Sequence, residues 1–359
     1  MSDRFTVEYL EPPDPLEAEP LPDEFSSSRL RRSLLIVGGL VLAVIAAITL
    51  VPGLGSLRER FAGASPGWLV FAGVLQLGSC ASYVMVFRGV FCRHMSWRTS
   101  TEIGLAELGA NSVLSVGGAG GLALGAWILR RGGLPVEYIA RRTVAFFLIT
   151  SAANTTFLVL GGVGLASGVL GGAPSWWLGA IPAVCAIVVI GSAVGARRLV
   201  RRIGRARVVA DGVDEALRLL RTGEPLIWLG AAGYMLFDVA MLGVCFTAFG
   251  NPVPPVGVLL VAYIIGQLGG LIPIPGGFGG VDGGLIGTLV IYGVDATDAA
   301  VAVIAYRGIL LAIPAVLGLP ALAFLRRRLR DEAHDIAACA PGESVEILGR
   351  GVVERPSPV

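Results

Sequence analysis

Long apolar stretches with almost no polar interruption set the pattern of this chain. Runs of about 20 such residues are enough to cross a hydrocarbon core of about 30 Å. They fall at 33–51, 67–90, 143–165, 175–196, 226–249 and 301–325. Between them lie two glycine-rich stretches, 100–135 and 256–294, each reading as two short apolar halves around a break. Re-entrant hairpins and pairs of full spans fit those two stretches equally. Residues 207–221 differ: Val208, Val209, Gly212, Val213, Ala216, Leu217 and Leu220 recur at helical spacing on one face only. The pattern predicts an all-α polytopic membrane protein of about six full spans plus two broken or re-entrant helix pairs.

Composition agrees, with 54% hydrophobic and 15% charged residues and a mean hydropathy of +0.76. All 28 basic residues are arginine. The absence of lysine excludes Schiff-base chemistry and a nucleotide-binding P-loop. Two histidines are too few for a histidine-rich metal site, so no metal or cofactor is expected. The five cysteines (Cys80, Cys92, Cys185, Cys245, Cys339) form no CxxC pair and read as small buried hydrophobes.

Charge then divides the chain. Residues 1–28 carry eight acids and one arginine, the composition of a disordered acidic tail. The run at 33–51 lies behind that tail and is longer than a signal-peptide core, so it reads as a permanent span. Residues 29–330 form the membrane domain, with an arginine-rich amphipathic loop at 197–224, and 331–359 form a C-terminal tail. Arg29, Arg31, Arg32, Arg88, Arg93, Arg98, Arg141, Arg142, the six arginines of 197–207 and the four of 326–330 fall on one side if the amino terminus is cytoplasmic. Both termini are then cytoplasmic, in a cell membrane. The exception is Arg58, Glu59 and Arg60 in the first outer loop. The loop 197–224 should lie against the cytoplasmic leaflet, as an ordinary positive-inside loop or as a lipid-recognising one. Nothing points to nucleic acid, and the oligomeric state is open.

The two glycine-rich stretches are related. GGAGGLALG (117–125) and GGFGGVDGG (276–284) share five glycines at a shift of 159, and a shift of 160 pairs Glu107 with Gln267. The repeat units are about 100–165 and 256–325. Three full spans between them turn the second unit upside down, and inverted repeats with broken helices place transport sites near the midplane. GxxxG spacings such as Gly276/Gly280 also suit close helix packing, but Pro273 and Pro275 argue for a true break. Irregular backbone at that depth needs protein or a watery cavity around it.

Asp282 and Arg307 lie at matching distances on either side of a turn near Asp295. At 1.5 Å per residue both sit about 18–20 Å deep and could pair. Pairing alone would make two buried charges tolerable. Alternatively, Arg307 meets a phosphate while Asp282 steadies it, since a guanidinium donates paired hydrogen bonds. The helix beginning after Gly280 points free N–H groups into the same break. Glu107 and Asn111, four apart on one helix face, and Asp238, midway in the fifth span, are further deep polar candidates.

The segment from Pro273 to Gly280 with Asp282, then Gly293-Val294, then Tyr306-Arg307, resembles the lysylphosphatidylglycerol synthase transmembrane family, also called flippase-like or UPF0104. Residues 107–133 look like that family's first glycine block. The resemblance covers about 33–325. It implies translocation of an anionic phospholipid or other lipid-linked anion, with Gly276, Gly277, Gly279, Gly280, Asp282, Tyr306 and Arg307 at the headgroup site. Aspartate stands where the family usually has glutamate, and Ser115-Val116 and Leu122-Ala123 depart from the first block. About 30 residues follow the last span, so the synthase activity is not expected and the chain is read as a non-enzyme. The alternatives are a membrane-embedded lipid-modifying transferase and an accessory protein without transport.

Overall fold

A computed structural model describes residues 39, 55–113, 119–171, 175–200, 207–271, 279–337 and 339. Among these residues the chain is all helical. The helices are α1 (Gly55–Ala62), α2 (Pro66–Phe91), α3 (Trp97–Val113), α4 (Ala119–Arg131), α5 (Val136–Ala166), α6 (Trp176–Val200), α7 (Arg207–Arg221), α8 (Pro225–Ala248), α9 (Val256–Leu268), α10 (Gly280–Ile291) and α11 (Ala296–Ala337). A 3₁₀ turn, Gly269–Leu271, follows α9. The run at 33–51, apart from Gly39, lies outside the described residues.

Among the described residues four helices are long and apolar enough to cross a membrane: α2, α5, α8 and α11 as far as Leu325. Their outward faces carry Val70, Val74, Leu77, Phe147, Val163, Leu229 and Val316, all exposed. Such continuous apolar exposure is sustained by lipid, not water. Trp68, Trp97, Trp176, Trp177 and Trp228 are exposed near helix starts, where an aromatic belt belongs.

The two glycine-rich stretches fold as paired short helices. α4, α9 and α10 have 13, 13 and 12 residues, about 18–20 Å each, less than a bilayer core of about 30 Å. Each pair is separated by residues outside the described ones, 114–118 in the first and 272–278, with Pro273 and Pro275, in the second. The repeat holds at the level of elements: α9, α10 and α11 begin 159, 161 and 160 residues after α3, α4 and α5.

One apolar core gathers α2–α5 with the start of α8, and a second gathers α8–α11 with α2. The units are joined where α3 crosses α11. A Cβ on Gly109 would lie 2.8 Å from Gly318 Cα, and one on Gly318 would lie 2.3 Å from the Leu105 carbonyl oxygen. Only glycine allows backbones so close.

Three details revise the sequence picture. Cys92 and Cys339 are not separate hydrophobes but a disulfide, with Cα atoms 5.5 Å apart, tying the end of α2 to the chain beyond α11. Arg60 pairs with Asp298 (3.1 Å) and bonds Asn251, so this charge fastens α1 to the start of α11. α7 forms as expected at Arg207–Arg221, but its buried face (Ala210, Gly212, Glu215, Ala216, Leu219) packs on α5. Glu215 belongs on that face because Arg142 (3.2 Å) and Arg218 (2.5 Å) hold it.

Candidate functional site

In the second hairpin, Gly279 stands at the start of α10 with φ +81°, a conformation that favours glycine. Its N–H donates to Asp282 Oδ2 (3.0 Å). Glycine has no side chain to return the bond, so Asp282 caps the helix from one side only. The other carboxylate oxygen, Oδ1, accepts from Arg307 Nε at 2.8 Å. One carboxylate therefore fixes both the helix start and the guanidinium. Asp282 is nine residues before the end of α10, and Arg307 eleven after the start of α11. That places the pair about 14–16 Å from the intervening turn, close to half the hydrocarbon thickness. The Arg307 side chain is 7% exposed and that of Asp282 21%. The positive end of the α10 dipole adds to the guanidinium there, a setting suited to an anion. Gly280 is the first residue of α10; Gly276 and Gly277 lie outside the described residues.

The first hairpin holds different chemistry. Glu107 is buried on α3, and its Oε2 accepts from Tyr83 Oη at 2.8 Å. Its other oxygen presses on α4, where a Cβ at Gly125 would collide with Glu107 Oε1. Asn111 Oδ1 accepts the Gly121 N–H (2.7 Å), so a side chain of α3 caps the start of α4. Asp238 belongs to neither hairpin: Tyr263 of α9 donates to its Oδ2 at 2.9 Å. Tyr306 is next to Arg307 in sequence but is fully buried in the second core.

The candidates named from sequence thus separate into three groups. Asp282, Arg307, Gly279 and Gly280 come together; Glu107 and Asn111 clamp α3 to α4; Asp238 and Tyr306 lie in the core behind. Among the described residues no three His, Cys, Asp or Glu side chains are grouped to hold a metal. Tyr83 and Tyr263 went unread, because a tyrosine in an apolar run looks like bulk until its hydroxyl is placed.

A broken hairpin carrying a capped aspartate and an arginine on the next helix is the arrangement spanned by the matching family profile, Lysylphosphatidylglycerol synthase TM region, at residues 35–318. The chain belongs to that family. The match covers the helices from α1 to within α11. No curated protein matches the chain. As a lysylphosphatidylglycerol synthase transmembrane region it is a multi-pass membrane domain associated with the lipid bilayer.

Proposed function

We propose that this membrane domain carries an anionic phospholipid, or another lipid-linked anion, between leaflets. The observation that carries the reading is the Asp282–Arg307 pair at 2.8 Å, in a broken helix about halfway through the membrane. A charge at that depth costs about 2.5–3.5 kcal/mol on insertion scales. A paired arginine lowers that cost and remains a phosphate ligand. Asp282 aims the guanidinium through Nε, and a headgroup phosphate approaching it also meets the N-terminal end of α10. The headgroup crosses between the two repeat units while the acyl chains stay in lipid. In this reading the protein makes and breaks no covalent bond, and the arginine-rich end with both termini faces the cytoplasm across the cell membrane.

The test is transfer of fluorescent phosphatidylglycerol across liposomes containing the full chain, wild type beside Arg307→Ala. Transfer by wild type and at least about tenfold slower transfer by the variant are expected, since losing a charged hydrogen bond removes about 1.5–3 kcal/mol. Equal rates would remove Arg307 from the path. A covalently altered lipid, formed by purified protein given a labelled donor, would move the reading to a transferase.

A further inference from the structure

Asp238 lies thirteen residues beyond the start of α8, about 20 Å along a helix that crosses the membrane. It is 1% exposed, and among the described residues no cation pairs with it. Tyr263 satisfies Oδ2. Ser79 lies beside the carboxylate, within reach of it and 3.4 Å from the Tyr234 carbonyl oxygen, and no hydrogen bond of good geometry reaches Oδ1 among the described residues. Two more buried oxygens on helices packed against α8 also lack partners: Gln76 Oε1 of α2 and Tyr306 Oη of α11. Both belong to the same neighbourhood. Asp238 acts electrostatically on Tyr306 and on Cys80, and Gln76 Nε2 donates to Cys80 Sγ (3.7 Å).

An unpaired carboxylate and orphan acceptors are costly together inside a membrane protein. A proton on Oδ1 cancels the charge and turns the unpartnered acceptor into a donor. A divalent cation would need several carboxylates, which the described residues do not group here. The position also reaches the lipid path. Tyr306 and Arg307 are consecutive on α11, one buried in the core with Asp238 and the other bonded to Asp282. Protonation at Asp238 and phosphate binding at Arg307 therefore bear on one turn of one helix.

We propose that Asp238 is a proton-binding site, and that its loading and release couple a proton gradient to the passage of the anionic headgroup; the coupling rests on the translocator reading above. The titratable groups facing it are Cys80 of α2, Tyr234 on its own helix, Tyr263 of α9 and Tyr306 of α11; Tyr83 of α2 meets Glu107 and Tyr234 instead, and Arg307 of α11 acts on Tyr306. From α5 and α7, Arg142 and Glu215 meet each other at the Tyr138 end of the first core, near the start of α8.

Infrared difference spectra of the reconstituted full chain read the proton directly. One protonated-carboxylic-acid C=O band should be present in wild type, absent from Asp238→Asn, and displaced but retained in Tyr263→Phe, while any band from buried Glu107 stays unchanged in all three. A wild-type spectrum that Asp238→Asn leaves intact overturns the site. In sodium-free liposomes with a gradient of one pH unit, wild type should enrich fluorescent phosphatidylglycerol in one leaflet by up to about tenfold, for one proton per lipid. The Asp238→Asn ratio should fall to one. Wild-type transfer that ignores the pH gradient, or follows sodium instead, overturns the coupling and leaves the translocator standing. No transfer by wild type overturns both the translocator and the coupling.

Discussion

The two broken hairpins close at the same register and place their charge on opposite helices. Glu107 and Gly125 touch in the first. The helices carrying Glu107 and Gly266 begin 159 residues apart, so the counterpart of Glu107 is Gly266 and not the neighbouring Gln267 of the sequence pairing. Gly266 and Gly284 also touch, a Cβ on Gly284 lying 3.1 Å from Gly266 Cα. The first hairpin puts its carboxylate on the incoming helix, buried against a tyrosine. The second leaves that position a glycine and puts its carboxylate on the outgoing helix, where Arg307 answers it. Ala123 and Phe147 stand where Asp282 and Arg307 stand in the second unit, and Phe147 faces outward. One backbone device thus serves two ends: the first hairpin uses its carboxylate as a wedge between helices, and the second holds a cation at membrane depth.

The widest separation should come from removing one member of the ion pair. Arg307→Ala leaves Asp282 uncompensated and should cost about 3–5 kcal/mol, read as a loss of thermal stability in detergent. The double variant Asp282→Ala/Arg307→Ala should recover most of that stability without recovering lipid transfer. Recovery of both would make the pair purely structural and erase the functional contrast between the hairpins.

Next comes the glycine contact. Gly125→Ala drives a methyl group into a buried carboxylate and should cost about 1–3 kcal/mol. Gly284→Ala requires the Gly266 backbone to give by only a few tenths of an ångström, against a direct overlap at Gly125, and should cost less than Gly125→Ala under the same melt. Equal costs would mean that the Glu107 wedge adds nothing to the first hairpin. Smaller again is Tyr83→Phe, which strips Glu107 of the hydroxyl that donates to it and should cost about 1–3 kcal/mol, toward the lower end because a carboxyl proton can replace it.

How much of this was readable follows from what each feature depends on. The start of α10 was legible because glycine acts locally on backbone, and it falls within a residue of the expected point. The Asp282–Arg307 pair was legible because two buried charges equidistant from a turn have few other solutions. α7 was legible in period, but its buried face includes Glu215, since a charge that finds two arginines can be enclosed. The grouping of Glu107 and Asp238 was not legible. It depends on which tyrosine hydroxyl arrives from another helix, and apolar periodicity carries no record of that. The Cys92–Cys339 bond joins positions 247 residues apart and has no local signature.

The smallest effect tests whether carboxylates outside the membrane follow the same rule of pairing. On α7, burial raises the proton affinity of Glu215, but the hydrogen bond from Arg218 and the charges of Arg142, Arg218 and Arg141 outweigh it and hold the carboxyl below the ordinary glutamate value of 4.5. A carboxyl lowered on folding stabilises the protein fully above its unfolded value, and that contribution fades as pH falls through the folded value. Melting of wild type should therefore weaken on acidification below 4.5. Glu215→Gln should lose about 1 kcal/mol at neutral pH and show a flatter acid limb. Arg142→Ala should flatten that limb in part, because Arg218 still holds the carboxylate. An acid limb identical in wild type and Glu215→Gln would mean that the α7 carboxylate, like a surface ion pair, contributes nothing. The attachment of α7 to the first repeat unit would then rest on Ala210, Gly212, Ala216 and Leu219 alone.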